Sequence, residues 1–118
     1  METTVADVLE KAAERLEAKG WVQCMDGPED GPNCARGAIA WEALAMNREW
    51  SQAGDALHEY LCRGGSWNGV VSYNDEPGRE KEQVIDALKG AAKDLRNDGN
   101  DTVLPVRNRI QTANSNPY

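Results

Sequence analysis

A chain of 118 residues, 40% apolar and lacking Phe, is the right size for one domain with a modest core and no staples. Four Trp, three Tyr and many Ala are left to fill that interior, which suits closely packed helices with a few large anchors. A net charge of −7 repels polyanions, so sequence-independent DNA or RNA binding is disfavoured, and an acidic surface of this kind suits a basic protein partner better.

The first element is "TTVADVLEKAAERLEAKG". Val5, Val8, Leu9, Ala12, Ala13 and Leu16 recur at three- and four-residue steps and make one apolar stripe. Thr3 or Thr4 is placed to cap this helix, Asp7 falls in its first turn, and Gly20 is the expected stop. The breaker-rich "QCMDGPEDGPNC" then reads as a loop. Its acids Asp26, Glu29 and Asp30 lack the alternating ligand pattern of a calcium loop.

Asn33 is the expected N-cap of a second helix, "CARGAIAWEALAMN", with Cys34 at its first helical position. Its Gly and Ala residues allow close approach, so it reads as the central buried helix. A third helix, "EWSQAGDALHEYLCR", carries Trp50, Ala53, Leu57, Tyr60 and Leu61 as its stripe, with Gly54 as a weak point and Gly64–Gly65 as the stop. "SWNGVVSY", residues 66–73, is short and rich in Val and Tyr and reads as an extended segment. A fourth helix spans roughly 80–96, with Val84, Ile85, Leu88, Ala91, Ala92 and Leu95 on one side. The fold class expected is therefore mainly α: one compact domain of about four helices over residues 1–97, with a short extended segment before the last helix. Residues 98–118 form a C-terminal arm, docked in part through Val103, Leu104, Val106 and Ile110 or else flexible, and offer a surface for a homodimer.

No apolar run is long enough to span a bilayer, and neither a secretory h-region nor a lipidation motif stands out. A cytoplasmic protein with three reduced thiols is the expectation.

Four arrangements bear on chemistry. A thiol at the start of a helix is favoured as thiolate, so Cys34 is the candidate nucleophile, with His58 as base and Asn74 or Asp75 orienting the imidazole for acyl transfer. Cys24, Cys34, His58 and Cys62 would complete a Cys3His zinc set, although the spacing between Cys24 and Cys34 is wide for paired ligands. No phosphate loop, nucleophile elbow or metalloprotease motif occurs, and no cofactor is implied. The loop Asn74–Arg79 has the turn chemistry of a connection into a helix, yet Trp21, Gln23, Asn74, Asp75 and Arg79 also make a polar set able to bind a ligand or partner.

"GWVQ" at 20–23, "CARGAI" at 34–39 and "YNDEPGR" at 73–79 occur in this order before an amphipathic helix. Over residues 5 to about 95 the chain resembles a family of small proteins of unknown function from actinobacteria and their phages, which carry Gly-Trp-x-Gln, Cys-x-x-Gly-Ala and aromatic-Asn-Asp-x-Pro-Gly-Arg segments. The resemblance singles out Trp21, Gln23, Cys34, Gly37, Ala38, Asn74, Asp75, Pro77, Gly78 and Arg79. It implies no activity. Where relatives carry a capping Thr, this chain has Glu80, which leaves Asp75 as the expected cap of the last helix. The composition and the resemblance together lead to the expectation of a non-enzymatic protein–protein interaction module, a phage accessory protein acting on a host protein. The alternatives are the Cys34–His58 hydrolase and a small-molecule binder at the Asn74–Arg79 loop.

Overall fold

The computed structural model describes residues 2–63 and 69–106. Five helices occur among them: α1 (Val5–Lys19), α2 (Ala35–Ala45), α3 (Ser51–Arg63), α4 (Val70–Asn74) and α5 (Lys81–Asn97). Thr4 opens α1 with a capping box: its hydroxyl accepts the Asp7 N–H, and the Asp7 carboxylate accepts the Thr4 N–H. Gly20 closes the helix by donating to Leu16 O. The whole predicted stripe of α1 is buried.

The hub of the fold is α1 and not, as the small residues of α2 suggested, the second helix. It packs most extensively on α5 and also on α2 and α3. Both α1 and α5 are amphipathic with Ala at buried positions, so their backbones can approach closely along one seam. The wide stripe decided the matter over the mere presence of small residues. At the surface Arg96 pairs with Asp7 and Glu10 across this seam, a contact that adds little in solvent.

Ala, Val, Leu and Ile make up the core. Contrary to the composition argument, the aromatics rim it. Trp21, Tyr60 and Tyr73 are half-buried against its edge, and Trp50 is 41% exposed. The reason is polar. An indole N–H needs an acceptor, and Trp21 and Trp41 find theirs at the edge of the core, in Asn74 Oδ1 at the end of α4 and Gly27 O of the acidic loop.

Two boundaries differ from expectation. Cys34, not Asn33, is the N-cap of α2, its sulfur accepting the Gly37 N–H. The stretch before the last helix is not extended: Val70–Asn74 forms the short helix α4, with Tyr73 N–H bonded to Gly69 O at 3.0 Å and Asp75 N–H to Val71 O at 2.9 Å. Local β-propensity of the valines is overridden by the tertiary bonds that fix Asn74. The predicted Gly64–Gly65 stop and residues 66–68 lie outside the described residues.

Residues 101–106 lie across the start of α1 and supply acceptors for its unpaired N–H groups. Val5 donates to Thr102 O and Ala6 to Asp101 Oδ1, while Leu104 donates to Thr3 O. Leu104, 1% exposed, enters the core, and Val106 makes an isolated antiparallel bridge with Arg48. Ile110 and the rest of the expected homodimer surface beyond residue 106 lie outside the described residues. Among the described residues, no helix is long and apolar enough to cross a membrane.

Candidate functional site

The polar residues singled out in the sequence do come together, at the junction of three chain segments. Asn74, only 1% exposed, is its centre. Its Oδ1 accepts the Trp21 indole N–H at 2.6 Å and the Ala35 N–H, in the first turn of α2, at 3.0 Å. Its Nδ2 donates to Val22 O at 3.2 Å and to Asp75 Oδ1 at 2.9 Å. Gln23 reaches the same turn from the other side, donating to Asn74 O and Glu76 O. Asp75 also accepts the N–H of Cys24, which sits at a positive φ of 71° that few non-Gly residues adopt. Arg79 folds back over the Tyr73 ring, 3.7 Å from its centroid, and donates to Tyr73 O.

Asp75 therefore does not cap the last helix. Glu80 itself is the N-cap of α5, and its N–H is taken by Gln83 Oε1 at 2.8 Å. Glu80 and Gln83 form the capping box between them, and Asp75 is left to hold the residue 22–24 segment.

A family model described as a family of unknown function, DUF6197, matches residues 1–94. The chain belongs to this family. The match runs from before α1 into α5 and so contains the whole Asn74 junction. No curated protein and no solved structure matches the chain.

In this DUF6197 chain a second buried amide, Asn33, does for the acidic loop what Asn74 does for the turn. Its Oδ1 accepts the Gly27 N–H at 2.7 Å, and its Nδ2 donates to Pro28 O and Gly31 O. A Cβ at Gly37 would overlap Asn33 Oδ1, which explains the glycine in the first turn of α2. Arg15 ties the same loop to the helices, bonding Glu42 at 2.7 Å and Glu29 O at 2.7 Å from a nearly buried position. The acids of the loop diverge: Asp26 pairs with Arg36, and Asp30 lies 3.9 Å from Lys19.

Cys34 is buried, and its thiol donates to Asp26 Oδ1 at 2.9 Å. Burial first, and the Asp26 carboxylate second, push its pKa up to about 11. Asp26 in turn is held below the usual carboxylate range, by Arg36 first and Cys34 second. The helix N-terminus turns backbone N–H groups of Gly37 and Arg36 toward Cys34, which is too little against burial beside an anion. His58 is exposed on α3 and lines a different cavity from Cys34; its Nε2 lies 3.5 Å from Cys62 Sγ. Asp75 is engaged by Cys24 and Asn74. Cys24 shares a small cavity with Cys34, while Cys62 keeps to His58, so the zinc set is split in two. Among the described residues, no three His, Cys, Asp or Glu side chains converge to hold a metal.

The larger concavity is one the sequence did not indicate. A cleft of about 390 Å³ opens between α2, α3 and α4. Ile39, Val70 and Val71 give it apolar walls, Trp50 stands at one side, and Arg36, Asp55 and His58 supply charge and hydrogen-bonding groups. Trp50 lies over Gly54, the weak point of α3, where a Cβ would meet the ring at an ordinary contact distance of 3.4 Å. The cleft was hidden because one of its walls is α4, a segment whose composition reads as strand. Trp50 was assigned to the core stripe for its periodicity alone.

Proposed function

We propose that the chain is a non-enzymatic protein–protein interaction module that engages its partner through the cleft between α2, α3 and α4. The observation that carries this reading is the pair of large apolar side chains at the cleft, Trp50 at 41% and Val71 at 45% exposure, beside the charged groups of Arg36 and Asp55 and the imidazole of His58. Exposed Trp next to a concavity is the kind of anchor that concentrates binding energy. The net charge of −7 favours a partner segment that presents an apolar anchor flanked by basic residues. The resemblance to proteins of actinobacteria and their phages extends the reading to an accessory protein that acts on a host protein in the host cytoplasm.

Two other readings lose support. A hydrolase built on Cys34 would have to work with a buried thiol pushed up to about 11. A ligand site on the Asn74–Arg79 loop would have to draw on side chains already spent inside the fold.

Affinity capture from an actinobacterial lysate tests the proposal, comparing wild type with Trp50→Ala and with Leu44→Ala, an exposed apolar residue outside the cleft. Wild type and Leu44→Ala should retain the same basic protein, and Trp50→Ala should weaken its retention by roughly tenfold or more. Retention of no protein, or equal retention by Trp50→Ala, would contradict it.

A further inference from the structure

The three thiols sit in three different settings. Cys34 is buried and bonded to a carboxylate. Cys24 is exposed, and Asp26 and Asp75, not an imidazole, line the small cavity beside it. Cys62 is exposed on α3, one turn after His58, with Sγ and Nε2 3.5 Å apart. Among the described residues it is the thiol with a base within reach.

The imidazole lies between the thiol and the backbone that enters α4. Its Nε2 faces Cys62, while its Nδ1 faces Gly69, where a Cβ would come within 3.1 Å of the ring nitrogen. Gly69 is buried at φ 141°, so the backbone entering α4 both requires a glycine there and backs the ring. Packing on one side and the thiol on the other define a dyad with an accessible sulfur. The side chains flanking it along α3 are Asp55, Glu59 and Arg63, and Arg36 of α2 lines the cleft that His58 also lines.

We propose that Cys62, assisted by His58, is a thiol-modification site that forms mixed disulfides with low-molecular-weight disulfides. His58 Nε2 takes the thiol proton, and Cys62 Sγ attacks one sulfur of RS–SR. The new Sγ–S bond forms as the S–S bond breaks. The departing RS⁻ takes the proton from the imidazolium and leaves as RSH. Cys62 is oxidised and the small disulfide is reduced, one thiol for one thiol. This inference stands apart from the interaction reading, because it needs no partner.

The test is the rate of adduct formation at each cysteine with oxidised glutathione at pH 7.5, followed by peptide mass measurement on the intact fold. Cys62 should react roughly tenfold faster than Cys24, with Cys34 slowest, since a free thiol is only a few per cent thiolate near neutrality. His58→Gln should bring the Cys62 rate down to that of Cys24 in the same molecule while leaving Cys24 unchanged, a difference that general loosening would not produce. If that variant also exposes Cys34, His58→Asn serves instead under the same criterion. Faster reaction at Cys24, or a Cys62 rate unmoved by the loss of the imidazole, overturns the proposal.

Discussion

The Asn74 junction and the α2–α3–α4 cleft lie side by side, and α4 contributes to both. They use polar side chains in opposite ways. At the junction Asn74, Gln23 and Asp75 bond backbone and side-chain groups of other segments. The junction joins the residue 21–24 segment, the start of α2 and the turn after α4 around the buried amide of Asn74. At the cleft Trp50 and His58 stay exposed. A motif that is distinctive in sequence can therefore be architectural, because positioning three segments demands specific donors and acceptors. A recognition surface needs only a shape and a few exposed anchors, which leave little trace in a single sequence.

The contrast can be broken or sharpened by substitution. The largest effect should come from Asn74→Ala, which strands the half-buried Trp21 indole N–H, the buried Ala35 N–H and Val22 O together; the expected loss in urea unfolding is about 3–4 kcal/mol. Asn33→Ala removes three bonds within one loop, and should cost about 2–3 kcal/mol in the same measurement. The smallest effect is a pH dependence. The Cys34 pKa is raised from 9.0 to about 11 in the fold, so the unfolded chain gives up this proton first. Its contribution is full below pH 9.0 and is lost as pH rises through about 11. Unfolding curves should fall over that window by an amount on the order of 1–2 kcal/mol, and Cys34→Ser should flatten that fall.

Much of the fold could be read from the chain. Periodic stripes placed α1, α3 and α5 to within one or two residues, because each buries one face and little else competes. The failures share a cause. Asn33 was taken for a cap, Asp75 was given the capping role that Glu80 fills, and residues 70–73 were read as extended. In each case a side chain was committed elsewhere by hydrogen bonds that the helical pattern does not show, within the acidic loop for Asn33 and across more than fifty residues for Asp75 and Asn74. The pairing of the proposed dyad was legible in one detail. His58 and Cys62 stand four apart on a helix, the spacing that puts them on one face. The more conspicuous Cys34 drew attention from them by its helix-start position, which burial beside Asp26 outweighs.

The division of labour between junction and cleft is tested most directly by pairing Asn74→Ala with Trp50→Ala in one urea-unfolding series, with partner capture scored on the folded fraction. The account predicts that Asn74→Ala loses several times more stability than Trp50→Ala, which should fall by no more than about 1 kcal/mol for a residue 41% exposed. It also predicts that Trp50→Ala alone loses capture. An Asn74→Ala chain as stable as wild type but unable to bind would contradict the account and return the site to the junction.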